Sequence, residues 1–318
     1  MKLILNCILV LTSLFSYGQK NKEDFPNQIR TVKTDEHVRV KGTKNYLLIP
    51  DEYQYVKELA RYQKNENTFV QIIETNTSNF SQSKSSFTRE GIEAKGAKVD
   101  VLKNIKLNKF EAIYLEGPSK YPNETKLSLI FGDETFFVMI VGVCKSDDLE
   151  GKKELQKILK SVYYDKSLQI DPLELANFEF DASITNFKYA ATASNIFMYS
   201  DKGKDGLQDP DANILQITIM PEMTDEAYFA NDLLWRYEKN GLKLKSKNII
   251  KTSINNRTAY ELETKVNAEN KEGIMYQVVL LFEGTTIVLM ATASSDQDNY
   301  LAKFKETAKS IKIKVLYL

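Results

Sequence analysis

Two stretches of the chain, LSLIFGDETFFVMIVGV (127–143) and QVVLLFEGTTIVLMATA (277–293), constrain its fold most strongly. Each is a pair of apolar, β-prone runs joined by a short turn that contains glycine and acid, Gly132-Asp133-Glu134 in one and Glu283-Gly284-Thr285 in the other. Two strong β runs with so short a connection form an antiparallel hairpin. The apolar runs of such a sheet need cover, and amphipathic helices in the same half of the chain can supply it.

The surroundings of the two hairpins follow one order. YLLIP (46–50) opens the first half as a strand, and ANFEFDA (176–182) matches it in the second half without the Ile-Pro. The alternating runs TFVQIIE (68–74) and NILQITIM (213–220) come next, and their period of two marks half-buried strands. Each is followed by a helical stretch closed by glycine: FSQSKSSFTREGIEAKG ends at Gly96, and TDEAYFANDLLWRYEKNG ends at Gly241. Both glycines suit the left-handed position after a helix. In the second of these helices Thr224 is the expected N-cap, with Asp225 and Glu226 in the first turn. Ala227, Ala230, Leu234 and Tyr237 form its apolar side, and Trp235 is expected to pack at the edge of that side.

NKFEAIYLEG (108–117) then corresponds to NRTAYELETK (256–265), the hairpins follow, and a closing helix ends each half. SDDLEGKKELQKILKSV begins at Ser146 and places Leu155, Ile158, Leu159 and Val162 on one face. SSDQDNYLAKFKETAKSI begins at Ser295 and places Leu301, Phe304, Ala308 and Ile311 on one face. A hydroxyl at the start with acids in the first turn is a helix-opening signal.

Each half thus reads strand, strand, helix, several antiparallel strands, helix, which is an α+β domain. The expected organisation is a first domain at 39–165, a linker at 166–171 and a second domain at 172–318. Residues 19–38, polar and aperiodic, are expected to be a flexible arm. The order of elements resembles the αβα sandwich of the PsbP, Mog and DcrB group. The matching points are Ile49-Pro50 at the end of the opening strand, the helix closed by Gly96, the hairpin at 127–143 and Lys160-Ser161-Val162 at the end of the final helix. The chain looks like two such domains in tandem, over residues 40–165 and 172–315. The resemblance implies a mainly antiparallel sheet flanked by helices and a binding or accessory role. The group includes an extrinsic photosystem subunit, a partner of the Ran GTPase and bacterial envelope proteins, and it supplies no catalytic residue to carry over.

Ahead of both halves, Lys2, the apolar LILNCILVLTSLF and then Ser-Tyr-Gly read as a signal peptide over 1–18, cleaved near Gly18. The run is shorter than the ~20 apolar residues of a membrane span. Cleavage would remove Cys7 and leave Cys144 as the single thiol, so no disulfide could form within the chain. Cys7 lies inside the apolar run, not at the start of the mature protein, and lipidation is not expected. The expected location is the periplasm or the exterior of the cell.

Charge and composition remove several function classes. The 318 residues include 43 Lys+Arg and 43 Asp+Glu, which lacks the cationic excess that nucleic-acid binding needs. One His and two Cys do not suffice for most zinc sites. His37 falls in the expected arm, which leaves a Ser-His-Asp arrangement without its base. Cys144 closes the run FFVMIVGVC and is read as a buried core thiol. No Gly-rich phosphate loop, HExxH or CxxC is present.

One loop carries ligand chemistry. DKGKDGLQDPDAN (201–213) holds Asp201, Asp205, Asp209 and Asp211, the candidates for calcium, beside Gly203 and Gly206. Gly203 and Ala212 occupy the third and twelfth positions of the EF-hand register, where ligands are needed, and Lys202 and Lys204 oppose a cation. A solvated loop between strands is the competing reading. No cofactor is expected. The functional expectation is an exported non-enzymatic binding or accessory protein of the bacterial envelope, acting on a protein partner or a small ligand. The alternative is a carboxylate-dependent hydrolase with its site between the domains.

Overall fold

Both hairpins form, and each becomes the middle of its own sheet. The computed structural model describes residues 25–314 other than 76, 240, 269 and 270, so the expected signal peptide lies outside the described residues. The chain divides after Glu174 into two units.

In the first unit, β1 (Gln28–Ile29), β2 (Val38–Arg39), β3 (Asn45–Leu47), β4 (Gln54–Val56), β5 (Arg61–Asn65) and β6 (Thr68–Thr75) precede two short helices, α1 (Phe80–Ser83) and α2 (Arg89–Glu93). β7 (Val101–Leu107), β8 (Phe110–Pro118), β9 (Glu124–Gly132) and β10 (Phe137–Lys145) follow, then α3 (Leu149–Lys160) and β11 (Tyr163–Tyr164). The main sheet runs β1-β7-β8-β9-β10-β6-β5-β4 and is antiparallel throughout except for β1 beside β7. Leu155, Ile158 and Leu159 of α3, with Val162 just beyond it, bury against Val70, Ile72, Leu127, Leu129, Val138 and Ile140. Each such side chain contributes roughly 1.5–3 kcal/mol by leaving water.

The second unit comprises β12 (Phe178–Glu179), β13 (Lys188–Ala193), β14 (Ile196–Ser200), β15 (Ile214–Pro221), α4 (Glu226–Lys239), β16 (Lys243–Leu244), β17 (Ile250–Ile254), β18 (Arg257–Ala268), β19 (Lys271–Phe282), β20 (Thr285–Ala293), α5 (Gln297–Ser310) and β21 (Lys312–Ile313). Its sheet order, β17-β18-β19-β20-β15-β14-β13, repeats β7-β8-β9-β10-β6-β5-β4 strand for strand, with β16 also on β18. The opening strands match as well. β3 pairs with β11, and β12 with β21, so in each unit the first apolar strand joins the short strand that follows the closing helix. Ala230 and Leu234 of α4 pack with Tyr260, Leu262 and Val279. Lys305 of α5 instead pairs with Glu263, which alternates with Leu262 along β18 and lies on the other side of the sheet.

Three expectations are corrected. Residues 25–38 are not a flexible arm: the Phe25 ring stacks on Tyr114 with centroids 3.6 Å apart, and Gln28–Ile29 pair with Lys106–Leu107. The polar stretch hides two apolar residues four apart, Phe25 and Ile29, which the core takes up, and β7 offers them an otherwise unpaired edge. The helix expected to end at Gly96 breaks into α1, a 3-10 turn at Lys84–Phe87, and α2. Asn79 caps the first piece by accepting from the Gln82 amide, and Thr88 caps the last by accepting from Gly91; with no apolar stripe to bury, these local bonds win. The N-caps also shift. Asp225 rather than Thr224 accepts from the Tyr228 amide, and Asp148 rather than Ser146 accepts from Gly151 at 2.8 Å. Gly96 (φ 82°) and Gly241 (φ 89°) adopt the left-handed conformation.

Candidate binding surfaces

The chemistry-bearing residues singled out in the sequence are scattered. Asp201 accepts from the backbone and side-chain nitrogens of Asn213, while Asp209 pairs with Lys202 at 2.5 Å and accepts from the Asp211 amide. Among the described residues no group of three or more His, Cys, Asp or Glu side chains is arranged to hold a metal ion. Cys144 is fully buried, and that burial pushes its thiol up to about 12. His37 is buried too: Nε2 donates to the Ser161 carbonyl at 2.9 Å, and Nδ1 accepts from the Thr34 amide at 3.1 Å. A carbonyl can only accept and an amide can only donate, so the ring is held as the neutral tautomer.

Carboxylates on the closing-helix side of each sheet are also engaged. Glu116 accepts from the Tyr114 hydroxyl at 2.5 Å and from Gln156 at 2.8 Å, and it pairs with Lys152 at 2.5 Å. Tyr276 donates in the same way to Glu261 in the second unit. Glu74 is held above the ordinary carboxylate range by burial, against the pull of bonds from the Lys44 amide, the Tyr164 hydroxyl and the Asn45 amide group. These buried bonds join helix to sheet or strand to strand.

The opposite face of each sheet is different. On β6, Val70 and Ile72 are buried, while Phe69, Gln71 and Ile73 remain partly exposed. β15 repeats the pattern, with Leu215, Ile217 and Ile219 buried and Ile214, Gln216, Thr218 and Met220 partly exposed. In each unit the strand next to the hairpin, third from one edge of the sheet, therefore carries an open strip on the side away from its closing helix. In the first unit the covering helix has fragmented into α1 and α2; in the second, α4 lies toward β16 and β18.

Ladder register gathers a polar group on the first strip. Gln71 pairs with Arg61, Phe69 with Gln63 and with Val143, and Val143 with Lys126. Arg61, Gln63, Phe69, Gln71 and Lys126 thus share one face. The Arg61 guanidinium lies 3.9 Å above the Phe69 ring and donates to Gln63 Oε1, and Gln71 donates to the Leu59 carbonyl. Burial lowers the pKa of both Arg61 and Lys126, and among the described residues no carboxylate forms an ion pair with either. Half-buried cations beside a partly exposed aromatic ring suit an anionic group. On the second strip, Met290 pairs with both Gln216 and Gln277. Gln277 is fully buried, and neither its amide nitrogen nor its oxygen has a hydrogen-bond partner among the described residues. The sequence marks these residues faintly: Lys126 interrupts the apolar pattern just before LSLIFG, and nothing local distinguishes Arg61.

No family model matches the chain, and no curated protein matches it. Among solved structures it is similar to PsbP (CyanoP) from Synechocystis sp. PCC 6803, at 14% identity and a TM-score of 0.30, over 47% of this chain and 99% of that one. It is also similar to the T6SS immunity protein TplEi from Pseudomonas aeruginosa, at 7% identity and a TM-score of 0.27, over 87% of this chain and 97% of that one. A third similarity is to a chain of the Tle4-Tli4 complex, at 8% identity and a TM-score of 0.28, over 89% and 99%. No helix among the described residues is long and apolar enough to cross a membrane.

Proposed function

We propose that the protein is an exported, non-enzymatic binding or accessory protein of the bacterial envelope, built from two PsbP-like αβα domains that each present an open sheet strip to a protein partner or small ligand. The observation that carries the reading is the recurrence of that strip on β6 and β15, with the same alternation of buried and partly exposed residues in both units. A sheet face left part-covered along one inner strand is unfilled apolar and polar surface that a partner can complete. The residues on it, Arg61, Phe69, Gln71 and Lys126 in one unit and Gln216 and Thr218 in the other, bind and orient; none is a nucleophile paired with a base.

The test is a photo-crosslinking side chain placed at Gln71 or Thr218 in the chain expressed in its own cells. A discrete adduct from either strip, absent when the same group is placed at exposed Glu66, supports the proposal. Absence of an adduct from both strips, together with a native mass spectrum that carries no bound small molecule, would sink it. Sequencing the mature N-terminus tests export separately, with the first residue expected just after Gly18.

A further inference from the structure

The single tryptophan of the chain is half-exposed. Trp235 sits on α4 with 51% of its surface in water, although it belongs to a residue type that is on average well buried. Lys239, one turn later, holds its ammonium 4.0 Å above the indole ring. The chain that follows, residues 239–251, carries Lys239, Lys243, Lys245, Lys247 and Lys251 and no acid, and all five side chains are exposed. Lys247 reaches back to Glu238 at 2.7 Å, and Lys251 stands 5.7 Å from the Tyr260 ring on the side of the sheet that α4 covers. Leu244 packs on the α4 side, so Lys243 and Lys245 alternate onto the other side of the sheet edge, as does Ile250, the cross-strand partner of Glu261.

We infer that this end of the second unit, Trp235 with the lysine-rich edge behind it, docks on an anionic lipid surface. Charge complementarity is the first reason. Asp232 is neutralised by Arg236 at 2.5 Å and Glu238 takes up Lys247, so the surplus charge beside Trp235 is that of Lys239 and Lys251, while Asp225 and Glu226 lie at the far end of α4, ~14 Å from Trp235 at 1.5 Å per residue. The choice of cation is the second. Protein interfaces favour arginine and deplete lysine, whereas every cation of the 239–251 run is lysine, a hydrated point charge suited to a field of phosphates. An indole beside such a cluster is the side chain that settles at headgroup level.

The tryptophan is its own reporter, since no other indole contributes to the emission. The intact chain is mixed with vesicles of phosphatidylcholine alone, with vesicles about one third phosphatidylglycerol, and with poly-glutamate. The expected result is a blue shift and co-sedimentation with the anionic vesicles only, both weakening as salt is raised. The triple variant Lys239→Glu, Lys247→Glu, Lys251→Glu, with unchanged circular dichroism, should lose about tenfold or more in vesicle affinity. Trp235→Phe should co-sediment more weakly and report no role in folding. No shift with anionic vesicles, binding that the triple variant leaves intact, or a response to poly-glutamate without a response to vesicles would each overturn the inference, the last in favour of an acidic protein partner.

Discussion

His37 and Ser161 lie 124 residues apart in the chain and are joined through His37 Nε2 and the Ser161 carbonyl at 2.9 Å. Thr34 closes the other side of the ring through its amide and hydroxyl. The bond fastens the N-terminal segment to the end of α3. His37→Ala leaves the buried Ser161 carbonyl without its partner, which costs ~1–3 kcal/mol. Thermal unfolding should show a melting temperature lower by several degrees, and an unchanged value would contradict the geometry.

Glu74 supplies a pH dependence whose sign is fixed. Burial raises its pKa in the folded protein, so its ionisation favours the unfolded chain, and stability falls as pH rises from the ordinary carboxylate value through the raised one. Glu74→Gln keeps an oxygen for the Lys44 amide and Asn45 and offers its NH2 to the Tyr164 oxygen. The variant is expected to melt higher than the parent at neutral pH, with the difference shrinking as pH falls below the carboxylate range. Parallel curves for the two proteins across that range would refute it.

Cys144 should be silent to thiol reagents in the native state. Its side chain is fully buried, and its pKa is pushed up to about 12, which leaves almost no thiolate at neutral pH. Labelling with a chromogenic disulfide is expected to be slow before unfolding and complete after it. Rapid native labelling would show that the strand opens.

Lys126 trades stability for its position. Burial lowers its pKa, and no carboxylate stands against it among the described residues. Lys126→Met should therefore raise the melting temperature while weakening any anionic ligand of the β6 strip. A lower melting temperature would mean that the ammonium is better solvated than its packing implies.

Calcium should leave the protein unchanged. Asp209 is taken by Lys202, and Asp201 by Asn213. Titration calorimetry is expected to give no heat beyond dilution, and a melting temperature that rose with calcium would restore the 201–213 loop as a site.

Much of each unit was legible because it is local. The two hairpins, the alternation of TFVQIIE and NILQITIM, and the apolar faces of α3 and α5 are periodic patterns that one strand or helix displays by itself. The helix expected before Gly96 failed for a reason the sequence did contain, since Asn79 and Thr88 are strong caps inside the run. The segment at 25–38 failed for a reason it did not contain. Phe25 becomes structural only when Tyr114, 89 positions later, presents a ring to stack on.

The open strips belong wholly to the second kind of information. Arg61, Phe69 and Lys126 come from three strands whose shared face depends on ladder register, and register is a property of the closed sheet. What the sequence determined alone was the order of elements in each half, because hydrophobic periodicity and capping act over a few residues. The tertiary structure decided which faces those elements leave uncovered and which distant side chains meet on them. Burial and strand pairing are long-range, and neither can be read from neighbours in the chain.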